Sequence, residues 1–104
     1  MKLKLRSQDA LASPREIVVE QFPVELGRGD EAAIRIDDRW LSRHHCRIDI
    51  VDGVVQVRDL GSRHGTYVNG QNVNESKLLP GDELRIGLSH FVAEYEPERA
   101  CVAK

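Results

Sequence analysis

The chain has 104 residues, 40% of them hydrophobic and 31% charged, and a formal net charge of −2. One folded domain is the expected size, and this composition is not that of a disordered chain. The near-neutral balance argues against a broadly basic nucleic-acid surface, and no apolar run approaches the roughly 18 residues of a membrane span.

The dominant period is two. In "KLKLR", Leu3 and Leu5 share a face. "REIVVEQF", Arg15 to Phe22, is rich in β-branched residues, which favour strands. "CRIDIV" puts Cys46, Ile48 and Ile50 on one face and Arg47 and Asp49 on the other, and "VVQVRDL" follows at once. Asp52-Gly53 between them is a two-residue hairpin signal, because a type I′ turn needs positive φ twice. That turn predicts a register in which Val51 faces Val54, Ile50 faces Val55 and Ile48 faces Val57. Asn69-Gly70 and Pro80-Gly81-Asp82 mark two more turns among "GTYVNGQNV", "DELRIG" and "HFVAEYE". In the last of these, Phe91, Ala93 and Tyr95 share a face. No amphipathic helix longer than about two turns is present. Many short strands with frequent turns predict an all-β sandwich or barrel. The expected domain is 1–96, and "PERACVAK", 97–104, reads as a tail or the start of a linker. The basic opening lacks the apolar stretch of a secretory signal. Two cysteines, Cys46 and Cys101, are too few for a disulfide framework. A cytoplasmic location with reduced thiols is expected.

In an all-β domain, polar residues that break the alternation belong to loops. Four segments hold most of them: "LGRGDEAAI", "WLSRHH", "DLGSRHGTYVNG" and "LLPGDELRIG". Arg28 lies between two glycines, which leave its guanidinium unshielded. Ser42, Arg43, His44 and His45 add a hydroxyl, a cation and two imidazoles, and "GSRHGT" adds Ser62, Arg63 and His64. Ser42, His45 and Asp59 are the residue types of a hydrolytic triad, but the G-x-S-x-G elbow and its helix are missing. His44 and His45 are adjacent on an extended chain, so they point apart and do not readily share one metal. No metal and no cofactor are expected. Three loops each bearing an arginine, two of them with hydroxyls, suit a phosphate group.

With those residues in view, the chain resembles a forkhead-associated (FHA) domain, a phosphothreonine-peptide reader, over about Ile17 to Tyr95. The family pattern is matched by "LGR" with Gly27 and Arg28, "SRHH" with Ser42 and His45, "GSRHGT" up to Gly65 and Thr66, "YVNG" with Asn69 and Gly70, and "LLPGDELRIG". The resemblance implies an antiparallel β-sandwich of the SMAD/FHA type, with about eleven short strands and binding loops at one end. It implies phosphate contacts from Arg28, Ser42, Arg43 and Arg63, and loop support from Gly27, His45, Gly65, Thr66, Asn69 and Gly70. His64 stands where the family usually has an asparagine that bonds the peptide backbone, so peptide binding there is the point of departure. The implied partner is a phosphothreonine-containing protein or peptide, the substrate of a Ser/Thr kinase, bound by a monomer. No nucleic acid, membrane or enzymatic role is expected. The competing reading is a scaffold of the same fold that binds an unphosphorylated protein surface or self-associates.

Overall fold

The computed structural model describes residues 1–8 and 16–97. Of the expected tail only Pro97 falls within them, and Cys101 lies outside the described residues. Among the described residues eleven strands follow in order: β1 (Leu3–Ser7), β2 (Glu16–Val19), β3 (Val24–Gly27), β4 (Ile34–Arg35), β5 (Cys46–Val51), β6 (Val54–Asp59), β7 (Thr66–Val68), β8 (Gln71–Val73), β9 (Glu75–Leu78), β10 (Glu83–Ile86) and β11 (Ser89–Glu94). They form a six-stranded sheet in the order β2-β1-β11-β10-β7-β8 and a five-stranded sheet in the order β4-β3-β5-β6-β9.

The period-two pattern sets which residues enter the core. Leu3, Leu5, Ile48, Val55, Val57, Leu84 and Ile86 are all fully buried and belong to one cluster. Each such side chain contributes about 1.5–3 kcal/mol of burial energy, so the two inner faces supply most of the drive to fold. Cys46 is buried with them, and that burial pushes its thiol pKa up to about 12. The thiol therefore stays protonated and behaves as a small apolar side chain.

The turns set the registers. Asp52 and Gly53 have φ of 54° and 81°, and β5 pairs with β6 through Val51–Val54, Ile50–Val55 and Ile48–Val57. That is the register read from the sequence. Asn69 and Gly70, at 51° and 82°, likewise close the β7–β8 hairpin. Gly81, with φ of 90°, lies in the turn between β9 and β10.

Among the described residues every strand pairing is antiparallel except one. β4 runs parallel to β3, matching Leu26 with Ile34 and Gly27 with Arg35. A parallel pair normally needs a long crossover. Here the connection folds tightly on itself, with Ala32 N–H donating to Gly29 O and Ile36 N–H to Gly27 O. Tyr95, just beyond β11, latches the two sheets. Its hydroxyl accepts from Val55 N–H and donates to Leu78 O at 2.6 Å.

Candidate functional site

Three loops meet at one end of the sandwich: the β3–β4 connection, the β4–β5 connection and the β6–β7 connection. Gly27 ends β3 and Arg28 follows it. Arg28 N–H donates to Ser42 O at 2.9 Å, and Gly29 N–H donates to Arg43 O at 3.2 Å. A side chain at Gly27 would place its Cβ 2.7 Å from the Arg43 carbonyl carbon and 3.0 Å from Ser42 O. The two loops touch backbone to backbone at that point.

Ser42 links the second loop to the third. Its hydroxyl oxygen accepts from Arg63 N–H at 2.9 Å, which leaves its own proton uncommitted. His45 joins the same loops from below. The ring is fully buried. Nδ1 accepts from Ser42 N–H at 3.1 Å, so Nε2 carries the proton and donates to Gly65 O at 2.9 Å. The His45 backbone adds two more bonds, donating to Leu26 O and accepting from Leu60 N–H. Burial holds the His45 pKa below its ordinary value, only partly opposed by the bond to Gly65 and the charges of Asp59 and Asp38. The ring is neutral near pH 7.

Asp59, at the end of β6, shapes the third loop. Its carboxylate accepts from Gly61 N–H, from Ser62 N–H and hydroxyl, and from the Thr66 hydroxyl. Ser62 Oγ in turn accepts from Gly65 N–H. Burial raises the Asp59 pKa, but these hydrogen bonds together outweigh it and hold the carboxyl below its ordinary value. Asp59→Asn would turn a donor against one of those donors. We expect a loss of about 1.5–3 kcal/mol of stability by urea unfolding, the size of a hydrogen bond to a charged group. An unchanged midpoint would remove Asp59 from this role.

The residues named as a possible triad are not linked as one. His45 bonds backbone groups of Ser42 and Gly65, and Asp59 bonds Ser62 and Thr66. His44 and His45 do point apart: His44 is exposed beside Glu25 and Glu31, which raise its pKa, the Glu25 hydrogen bond most.

Arg28, Arg43 and Arg63 are exposed. Among the described residues, no carboxylate pairs with any of their guanidiniums. Arg28 and Arg43 line one open concavity with Arg35, Asp30, Glu31 and His44. Arg35 is committed there, to Asp30 and to the Arg28 carbonyl. His64 is exposed and lies against the Trp40 ring, with centroids 4.6 Å apart. Gly65 has φ of 89° and Thr66 is buried at the start of β7.

Two expected support residues lie elsewhere. Asn69 and Gly70 follow the far end of β7, where Asn69 bonds Glu83 through both backbone and side chain. The Pro80–Asp82 turn is also at that opposite end, beside Leu79 and Ala93. The fourth polar segment thus reaches the site through its last residues, Ile86 paired with Thr66 and Gly87 packed on Asp38. Asp38 and Trp40 are contributors that the sequence motifs did not single out, while Asp59 and Ser62 were named there without this loop-shaping role. An exposed tryptophan in a loop was the one available signal.

Residues 24–87 match the model of the FHA domain family, described simply as FHA domain. The chain belongs to that family. It is 40% identical over 75 residues to an oxoglutarate dehydrogenase inhibitor of Corynebacterium efficiens, covering 72% of this chain and 53% of that protein. It is 39% identical over 75 residues to the glycogen accumulation regulator GarA of Mycolicibacterium smegmatis, covering 72% and 48%. The chain therefore spans about half the length of these curated relatives. An FHA domain solved in a study of phosphothreonine-dependent FHA domain interactions superposes with a TM-score of 0.82 at 32% identity, over 94% of this chain and 100% of that one. The FHA domain of FhaA, a Mycobacterium tuberculosis protein, solved with the intracellular domain of Rv3910, gives 0.78 at 33% identity, over 88% and 99%.

Proposed function

We propose that this FHA domain is a module that binds phosphothreonine-containing segments of partner proteins in phosphorylation-dependent signalling. One observation carries the reading: three exposed guanidiniums, none ion-paired among the described residues, stand on loops already cross-bonded through Ser42 and His45. Preformed loops avoid most of the ordering cost of binding. In this reading Arg28, Arg43 and Arg63 supply charge to the phosphate dianion, and Ser42 donates its free hydroxyl proton. His64 faces the peptide beside the phosphothreonine. Gly27, His45, Gly65 and Thr66 keep the loops in place. The relatives and solved neighbours named above support the same reading. This reading calls for binding alone, with no covalent bond formed or broken.

Thr66 is the single threonine among the 104 residues, and its hydroxyl is buried on Asp59. The phosphothreonine therefore comes from a partner or from sequence outside this stretch.

The test is calorimetric titration with a degenerate phosphothreonine peptide library, with unphosphorylated peptides as control. Arg28→Ala should weaken phosphate-dependent binding about 10- to 100-fold, as expected for a hydrogen bond to a charged group. The thermal midpoint should move little, because that guanidinium has no ion-pair partner to lose among the described residues. Equal affinity in native and Arg28→Ala protein would overturn the reading.

A further inference from the structure

His44 stands where the arginine rim meets a group of carboxylates. The concavity that holds Arg28 and Arg43 is also lined by Arg35 and by Asp30, Glu31 and Asp37. Its guanidiniums and carboxylates are equal in number, and Arg35 is already committed to Asp30. Among these lining residues only the His44 ring is of a kind that changes charge near neutral pH. Both of its nitrogens face carboxylates. Nδ1 donates to Glu25 on β3, and Nε2 lies 3.7 Å from Glu31 in the β3–β4 connection. A carboxylate oxygen only accepts, so a ring between two of them is best served with a proton on each nitrogen. Arg47 stands opposite Glu25 across the β3–β5 pair, yet no ion pair joins them among the described residues. His44 is therefore the cation that neutralises Glu25. The bond to Glu25 raises the His44 pKa most and Glu31 adds to it, against desolvation and the Arg43 charge.

We infer that His44, held charged by Glu25, is a proton-linked member of the phosphate rim: the domain takes up a proton at this ring when phosphothreonine binds, and affinity falls as the ring discharges. This rests on the phosphate-binding reading above. Arg28 and Arg43 attract the dianion whatever the pH. With His44 neutral, Glu25 is a bare carboxylate beside a concavity whose own charges cancel, and it opposes the ligand. With His44 charged, that opposition is removed. The bound dianion in turn favours the charged ring, because one coupling acts equally in both directions. The contribution of the ring is thus present below its raised pKa and lost as pH rises through it. The ligand's own ionisation runs the other way. The second phosphate pKa is near 6, and guanidiniums that prefer the dianion make the ligand release protons rather than take them up. The buried His45 ring is already neutral and points away. Proton uptake near neutral pH is therefore the signature of His44.

The experiment is calorimetric titration of a phosphothreonine peptide drawn from the library above, in pairs of buffers of unlike ionisation heat, from pH 6.5 to 8.5. The difference between paired buffers reads the protons taken up. Native protein should take up a fraction of a proton within this range and lose about two- to fivefold in affinity from its lower to its upper end, the size expected of an exposed charge pair. His44→Gln should abolish the uptake and flatten the affinity profile. It should keep the native thermal midpoint, since the side chain is 49% exposed. Glu25→Gln should move the uptake to lower pH, and His64→Asn should leave it in place. Uptake absent from native protein, retained in His44→Gln, unmoved in Glu25→Gln or lost in His64→Asn overturns the proposal while the phosphate-dependent reading survives. Absence of phosphate-dependent binding at every pH overturns both.

Discussion

Gly27→Ala is expected to lower the unfolding free energy by about 3 kcal/mol or more, beyond ordinary overpacking, because the obstacle is backbone. The new Cβ would lie within 3.0 Å of the Ser42 carbonyl oxygen, 2.7 Å from the Arg43 carbonyl carbon and closer still to its oxygen. A side-chain tip could swing away. Here the obstacle is the peptide that carries Ser42 and Arg43, so the β4–β5 loop itself must move. Moving it also stretches the bonds from Arg28 N–H and Gly29 N–H to that loop. In a domain of this size, 3 kcal/mol corresponds to a fall of about 12 °C or more in the thermal midpoint. Affinity for phosphothreonine peptide should fall further than in Arg28→Ala, since the substitution displaces two arginines and the serine together. A midpoint within a few degrees of native would show that the two loops are not held this closely.

His45→Ala should cost about 3–5 kcal/mol. The ring is fully buried, so its removal leaves a cavity. It also strands Ser42 N–H and Gly65 O, the two partners of its nitrogens, each at a penalty near 1–3 kcal/mol where water cannot reach. The same ring predicts a pH dependence. Because burial lowers the folded pKa below the ordinary 6.5, the unfolded chain takes up a proton first as pH falls. This contribution to stability is full above about pH 6.5 and is lost progressively below it, down to the folded value. Protonation of Nδ1 would also remove the acceptor for Ser42 N–H. Urea unfolding at pH 7.5, 6 and 5 should show the native protein losing stability over that window. A His45→Gln variant should lose less. Parallel slopes in the two proteins would place the acid sensitivity elsewhere. Asp59 would be the next group to compare, since its lowered pKa acts only at lower pH, below the ordinary carboxylate value.

What the sequence determined by itself was local. Alternating apolar residues announced strands and their buried faces, because successive side chains on an extended chain point to opposite sides. Asp52-Gly53 and Asn69-Gly70 announced hairpins and one full register, because few residue pairs accept positive φ twice in a row. The same short-range reading marked Arg28, Ser42, Arg43 and Arg63 as loop residues of one chemical kind. It did not say where each loop lies: the Pro80–Asp82 turn and Asn69 are at the far end, because a strand carries its two ends to opposite poles of the sandwich. The family motif marked His45 as a loop support, but the partners of the side chains that pin the structure were not legible. Asp38 holds Leu88 and Ser89 from 50 and 51 residues away, Tyr95 reaches Val55 across 40, and His45 reaches Gly65 across 20. The short parallel β4 and the Trp40–His64 contact are of the same kind. An aspartate or tyrosine acquires such a partner only when both sheets have closed over it, so only the tertiary structure could decide which polar side chains face solvent and which hold the site together.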